Sequence, residues 1–554
     1  MSSTRPSGGR VAQAIFLLGV FAAGAIGNAA TYYVDALHGS DQADGISAKT
    51  PWRSLQKASR APLAPGDRVA LAGGQTHEGQ LRFTGLKGTA GAPITISSYA
   101  IGGEAGNPPA TIDGRGTPAA LHLIDCSFVT VANLGVTADG GGWGAELATS
   151  AEMRCGILVE AVTPGEFERI ELRELHVSRV SYQDPGFKRP LEDVKTPNGN
   201  GRYGWGVRFI ARNERAKLRG IAVRNCVIER VDHTGLKFTA PSGGIRDVEV
   251  DGVRVLDVGG PGVQLSGVVD GHFSHLHVDH SGSVGDSRNW GRGSGLWTWD
   301  CRNVVVERSE FTNANGPGDS AGVHIDFRCR DVVVQYNLSA NNAGGFCEIL
   351  GDNHNCAYRY NVSINDGARV KGRNGAFQDG KIFWLSGYVG KDKPTGPFNS
   401  YFYNNTIFVA AGIEAKIAIA PTAEGVLIAN NIFCLQGASR MVAGDQLRAD
   451  QRGTSALSRV TFVNNAFLRA DNWPAECGIQ DDTPLLGDPG FVNPGGMRAA
   501  DYIPRNVALV KDRGIRVSAL PDDTVGLRVG LDVAGDFFGH PIVGAPDLGA
   551  IELP

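Results

Sequence analysis

The sequence predicts an all-β chain wound as a parallel β-helix, a solenoid of roughly 10–12 coils opened by a short N-terminal capping helix. Three observations carry that expectation. A short phrase recurs from Phe167 to Leu468: a polar residue, an alternating apolar run, an Asn or Asp, then a Gly-rich break. Copies include Asn303-Val-Val-Val-Glu-Arg-Ser-Glu-Phe311, Asp331-Val-Val-Val-Gln-Tyr-Asn-Leu-Ser339 and Asn355-Cys-Ala-Tyr-Arg-Tyr-Asn-Val-Ser363. Their registers are pinned by Cys301-Arg-Asn and Cys329-Arg-Asp, 28 residues apart, and by Tyr336-Asn-Leu-Ser and Tyr360-Asn-Val-Ser, 24 apart. A period in the twenties, built of strands and lacking a helical pattern, marks coils that bury their apolar faces only by stacking. Third, 76 of the 554 residues are glycine, without a Gly-x-y period, and they fall between strands where turns need positive φ.

From the N-terminus, Arg5 and Arg10 precede an apolar stretch, Val11 to Ile26, that ends in Gly27-Asn-Ala-Ala30. A basic region, an apolar region and a small-residue cleavage site predict a secretory leader over residues 1–30. The stretch is short for a span of ~20 residues, so the expected product is exported, periplasmic or extracellular, with no membrane attachment after cleavage. Residues 31–120 are read as the N-terminal cap and first coils. Within them Leu55 and Ala58 share one amphipathic turn, a short helix fit to cover the open edge of the first coil. Asp35, Asp41 and Asp44 lack the Glu of a calcium loop and read as turn residues. Residues 121–470 are the β-helix that carries the groove, and 471–554 are C-terminal coils with a capping segment. Two polar stretches rich in Gly or Pro, Ser181 to Arg202 and Val284 to Gly293, interrupt the coils; insertions on a rigid solenoid wall a binding face. Nine cysteines in an exported chain permit disulfides, but the odd count and the equivalent places of Cys301 and Cys329 favour stacked, buried thiols. The net charge of −4, with both signs interspersed, makes no electrostatic case for nucleic acid, and a monomer is expected.

The opening Tyr32 to Ser98, with Tyr32-Tyr-Val-Asp and Pro65-Gly-Asp-Arg-Val-Ala-Leu71, resembles the N-terminal module of exported right-handed parallel β-helix proteins of the pectate-lyase-like superfamily. The closing Gly487-Asp-Pro-Gly-Phe-Val-Asn-Pro494 and Ala545-Pro-Asp-Leu-Gly-Ala-Ile-Glu552 resemble it too. The resemblance implies a right-handed coil and a carbohydrate-active protein. It leaves the reaction open, because that superfamily holds hydrolases, lyases, epimerases and non-catalytic adhesins.

In each coil one strand follows a glycine: Gly206-Val-Arg-Phe, Gly235-Leu-Lys-Phe, Gly262-Val-Gln-Leu, Gly295-Leu-Trp-Thr-Trp, Gly322-Val-His-Ile-Asp and Phe346-Cys-Glu-Ile. Alternation then sets Arg208, Lys237, Gln264, one of Trp297 and Trp299, His324, Asp326 and Glu348 in an outward column. Gly367-Ala-Arg-Val-Lys371, read as the next such strand, adds Arg369 and Lys371. His233, with Asp232, sits in a turn at the groove's edge. Acids, bases and indoles on rungs ~4.8 Å apart compose a sugar groove, not a structural face of Thr, Ser and Val.

The expected chemistry is glycosidic-bond hydrolysis by a carboxylate pair. Asp326 and Glu348 on adjacent coils, ~5–6 Å apart, would suit a retaining pair; Asp319, in Gly316-Pro-Gly-Asp-Ser320, with Asp326 would make a wider, inverting one. His324 would shuttle a proton or bind a hydroxyl. Arg208, His233, Lys237, Gln264, Trp297, Trp299, Arg369 and Lys371 would bind the polysaccharide, and Arg369 with Lys371 would clamp the carboxylate of a uronate. Hydrolysis needs no cofactor. A rival reading is β-elimination of a uronate, with Lys237, Arg369 or Lys371 as base and Ca²⁺ held by Asp326 and Glu348. A third is a non-catalytic carbohydrate-binding or surface protein.

Overall fold

The computed structural model describes residues 29–101, 108–141, 153–196, 199, 201–444, 459–474 and 481–554. The leader expected over 1–30 lies almost wholly outside them. No helix among the described residues is long and apolar enough to cross a membrane.

The fold is a right-handed parallel β-helix, the hand that parallel crossovers take. Its strands form one 26-stranded and one 12-stranded sheet. Each coil gives one strand to the small sheet and two to the large one, as Val263–Ser266, then Val268–Ser274 and His277–Ser281, before Leu296–Trp299 opens the next. Between the two large-sheet strands the chain turns through a left-handed residue: Asn225 (φ 52), His275 (φ 50), Tyr336 (φ 56), Asn404 (φ 51) and Asn430 (φ 56) occupy that corner. Three of the five are Asn, which tolerates this conformation well, and an Asn of the recurring phrase follows directly in Tyr336-Asn337, Asn404-Asn405 and Asn430-Asn431. One apolar cluster, Val- and Ile-rich, fills the coil from Val34 to Phe467. The eight described cysteines are buried free thiols, and Cys301 and Cys329 meet inside as stacked neighbours.

At the N-terminal end, helix α1 (Leu55–Ala58) buries Leu55 and Ala58, and the Ser54 hydroxyl caps it by accepting from the Lys57 N–H at 3.1 Å. It packs on Leu81–Thr84, the first strand of the small sheet. Asp41 accepts from the backbone of Arg53 and Ser54, and Asp35 from Leu37 and His38, so both are turn residues. The C-terminal end departs from expectation. Beyond residue 481 the chain adds a two-residue rung, Leu485–Leu486, instead of further coils. It then runs back along the outside of the large sheet, where Asp523 meets Asn355 and Tyr401, and the Leu531 carbonyl accepts from the Tyr403 hydroxyl at 2.6 Å. The physical reason is a tyrosine-rich outer face on these coils, with Tyr336, Tyr360, Tyr401 and Tyr403, that needs cover; Leu527 and Val533 supply it.

Candidate active site

The small sheet runs β1 (Leu81–Thr84), β2 (Ala119–Ile124), β3 (Arg154–Ala161), β4 (Gly204–Ala211), β5 (Leu236–Thr239), β6 (Val263–Ser266), β7 (Leu296–Trp299), β8 (Val323–Ile325), β9 (Gly345–Ile349), β10 (Lys381–Leu385), β11 (Ala415–Ile419) and β12 (Ser439–Met441). Its register draws the predicted column as one line. Arg208 pairs with Lys237, Lys237 with Gln264, Gln264 with Trp297, and Trp297 with His324. Ile325 pairs with Ile349, which sets Glu348 beside His324, and Glu348 pairs with Trp384. The flanking Val207, Leu236, Val263, Leu296 and Val323 face the core. Trp297 is therefore the column member. Trp299 stands two positions on along the same face, 37% exposed, and starts a row in which Phe327 lies 6.0 Å from it and Tyr388 lies 5.7 Å from Phe327.

The column is buried, because the two insertions lock over it. The Arg189 N–H donates to the Ser287 carbonyl at 3.0 Å and its Nε to the Arg288 carbonyl at 2.8 Å. Trp290 Nε1 donates to the Asp193 carbonyl at 3.0 Å. Arg292 reaches through this joint: Nη1 donates to the carbonyls of Lys195 and Thr196, while Nε and Nη2 lie 2.9 and 2.7 Å from Asp319 Oδ2. Asp319 sits in a corner of two consecutive left-handed residues, φ 46 for Asp319 and 71 for Ser320. Backbone strain of this kind is held only where neighbours over-determine it. Here Gln378 Oε1 accepts from the Asp319 N–H at 2.6 Å, and Arg369 Nη1 donates to the carbonyls of Gly316 and Asp319 at 3.1 and 2.8 Å.

Three carboxyls converge: Asp319, Asp326 and Glu348. Their environments separate their ionisation. Burial pushes Asp319 up, but the Arg292 guanidinium outweighs it and holds the carboxyl below its usual range. Burial pushes Asp326 up to about 7, although the Phe327 N–H and Trp297 Nε1 donate to its two oxygens at 2.8 Å each. Glu348 is driven well above the usual range, by burial first and then by Asp319. His324 stacks on Trp297 at 5.2 Å, and burial lowers it to about 4, so it is neutral. Its Nε2 lies 3.5 Å from Glu348 Oε1 without hydrogen-bond alignment. Among the described residues, Asp319 Oδ1, both His324 ring nitrogens, Glu348 Oε1, Trp384 Nε1 and Gln264 Oε1 are buried without a hydrogen-bond partner. Buried polar atoms in folded proteins are ordinarily paired, so this concentration along the column and the Asp319 corner marks a place for a ligand's hydroxyls.

Asp326 and Glu348 are diagonal across adjacent rungs, as expected for carboxyls on neighbouring coils, with Cα atoms about 8 Å apart by strand geometry. Both Asp326 oxygens accept N–H bonds, and no group of three or more His, Cys, Asp or Glu side chains among the described residues is arranged for a metal.

Two further expectations are corrected. Residues 367–371 form a loop, not a strand, so Arg369 and Lys371 are not aligned on the column. The Arg369 guanidinium spends its donors on the carbonyls of Gly316, Asp319 and Gln378, positioning the Asp319 corner, and Lys371 is exposed. The ground for an acidic sugar at this place is gone. His233 is buried, stacked between Trp290 at 4.3 Å and Trp205 at 5.0 Å, and belongs to the packing under the insertions, not to the groove's edge. Sequence reasoning missed Arg292, Phe327, Tyr388 and Trp384. A signal existed for the last, since Gly380-Lys-Ile-Phe-Trp repeats the glycine-then-strand pattern; Arg292 comes from an insertion and carries none.

No family model matches the chain. It is similar to the lacto-N-biosidase of Bifidobacterium longum subsp. longum, 25% identical over 628 aligned positions that take in 94% of this chain and 36% of that protein. The chain thus spans about a third of the length of the curated relative it matches. Among solved structures, it is similar to the GH136 lacto-N-biosidase from Eubacterium ramulus in its selenomethionine form, at 21% identity and a TM-score of 0.53, covering 75% of this chain and 67% of that one. It is also similar to XylC in complex with xylose, at 10% identity and a TM-score of 0.52, covering 95% and 98%. At these identities the two structural likenesses are likenesses of fold.

Proposed function

We propose that the chain is a glycoside hydrolase acting on a glycan that ends in lacto-N-biose. The observation that carries this reading is the split between two carboxyls seven residues apart: Asp319, kept anionic by Arg292, and Asp326, kept protonated to about pH 7 by burial. Two carboxyls whose environments push their pKa values apart are an acid and its anionic counterpart. Asp326 gives its proton to the glycosidic oxygen as the C–O bond breaks, and the Asp319 carboxylate faces the positive charge that develops at the anomeric carbon. Water then supplies the hydroxyl at that carbon, and its proton returns to the carboxyl pair. This needs no group beyond the two acids and water. Trp297 orients Asp326 through its indole N–H, and the half-exposed row Trp299, Phe327 and Tyr388 offers the ring faces that sugars pack on. The similarity to lacto-N-biosidases supports the substrate, and the apolar leader-like stretch at 11–26 supports export.

The β-elimination reading would use Lys237, whose amine burial and Arg208 lower to about 7. Lys237 stands three rungs from His324, about 14 Å along the ladder, too far to act in one step with the carboxyls. The test is incubation with a neutral oligosaccharide ending in lacto-N-biose and, separately, with uronate chains, following free lacto-N-biose and the absorbance of unsaturated products. Release of lacto-N-biose is expected. Unsaturated product from uronate chains would replace the hydrolase by the lyase, and binding without either product would leave a carbohydrate-binding protein.

A further inference from the structure

Arg208 and Lys237 occupy paired positions on adjacent strands β4 and β5, one rung of ~4.8 Å apart. Lys237 is buried and Arg208 half-buried. Two cations brought this close in a covered site call for a counter-charge, since buried charges in folded proteins are paired. Among the described residues none pairs with them. Glu160, the carboxylate whose field reaches Arg208, is committed to His122 at 2.7 Å and to Arg212. Arg208 instead lies over the Trp205 ring at 4.8 Å, with Nη1 against Met153 Sδ. Around the pair, buried polar atoms are again left over: Arg208 Nε, Trp205 Nε1, Thr239 Oγ1 on the Lys237 strand and Gln264 Oε1 on the next rung.

We infer that Arg208 and Lys237 form an anion subsite, which receives an acidic substituent, a carboxylate or a sulfate ester, on a sugar lying along the groove beyond the bond that is cut. The inference rests on the glycan reading above and adds that the chain prefers glycans carrying such a group. It returns the acidic sugar that Arg369 and Lys371 do not hold, at a different place, about 14 Å along the ladder from the reacting groups. A guanidinium and an ammonium side by side suit a planar carboxylate and a tetrahedral sulfate alike. The bound anion would also restore Lys237 to its charged form, because the opposite charge offsets the burial that depresses it.

The test separates binding from turnover. The full chain carrying Asp319→Asn is titrated calorimetrically with a neutral oligosaccharide ending in lacto-N-biose, with its sialylated derivative and with its sulfated derivative. One acidic form is expected to bind about ten- to a hundredfold tighter than the neutral one, and which form does so identifies the group. Lys237→Gln or Arg208→Gln, each in the same background, should bring the acidic ligand to the neutral level, while Lys237→Arg keeps the preference. Equal affinity for all three ligands, no binding of either acidic form, or a preference that survives both Gln variants would overturn the inference. Cleavage by the unmodified chain is read separately. A Lys237-dependent preference without cleavage of any glycan would sink the hydrolase and leave the anion subsite standing.

Discussion

On the large sheet, Asn337, Asn361, Asn405, Asn431 and Asn465 stack on successive coils as a buried polar ladder. From Asn361 on, each side-chain oxygen accepts from the backbone of the Asn on the coil before it: Asn337 N–H to Asn361 at 2.9 Å, Asn361 to Asn405 at 3.1 Å, Asn405 to Asn431 at 2.9 Å; the Asn337 oxygen accepts from the Ser309 N–H at 3.0 Å. The amides donate to carbonyls of the coil, as Asn361 Nδ2 does to Val334 at 2.9 Å, and Asp481 closes the run by accepting from Asn465. The column on the small sheet is buried too, yet Arg208, Gln264, His324, Glu348 and Trp384 each leave a polar atom unpaired. A satisfied ladder is a structural device, whereas an unsatisfied one costs stability that only a ligand can return. The comparison therefore separates the part of the molecule that holds the coil from the part that acts.

The widest test of that division is Asp319→Asn, expected to lower kcat about 10⁴-fold with an unchanged circular dichroism spectrum. Activity within tenfold of the parent would remove Asp319 from the chemistry. Next, Asp326→Asn should lose ~10²–10⁴-fold, because the proton donor is gone. In the unsubstituted chain kcat/KM should fall as pH rises through about 7, the value at which Asp326 gives up its proton. The sign for stability follows from the same shift. A carboxyl raised from 3.8 to about 7 favours the fold fully below pH 3.8 and withdraws that contribution as pH climbs to about 7, so Asp326→Asn should flatten urea midpoints over that window. His324 acts on the other side: lowered from 6.5 to about 4, it costs stability as pH falls between those values, and His324→Phe should relieve the loss.

The satisfied ladder should respond in the opposite sense. Asn361→Ala strips partners from the Asn337 N–H, the Val334 carbonyl and Asn405, and should cost about 2–4 kcal/mol in urea unfolding while leaving kcat of the folded fraction unchanged. A loss under about 0.5 kcal/mol would deny the ladder its structural role. The smallest effect is Trp384→Phe, which removes an indole N–H that has no partner. Stability should stay within about 0.5 kcal/mol, and KM should rise roughly two- to tenfold. A clear loss of stability with no change in KM would make Trp384 part of the scaffold.

Much of this was legible in the chain itself. The repeat length, the alternation and the Asn-bearing corner specify a parallel coil, because each is a local requirement of stacking. The same alternation placed Lys237, Gln264, His324 and Glu348 on one face, since a strand has only two. Where no strand forms, as at Arg369 and Lys371, alternation says nothing, and the expected clamp dissolved into a loop that braces Asp319.

What tertiary structure alone decided is the state of those groups. Arg292 reaches Asp319 because two insertions, about a hundred residues apart in sequence, lock by side-chain hydrogen bonds to each other's carbonyls, and no short-range pattern encodes that meeting. The sequence by itself determined the coil, its cap and the chemical alphabet of the groove, because those depend on neighbours one period away. Which carboxyl is charged, which is protonated and which cations stand without a partner depend on burial and on long-range contacts, and these exist only once the insertions have closed over the sheet.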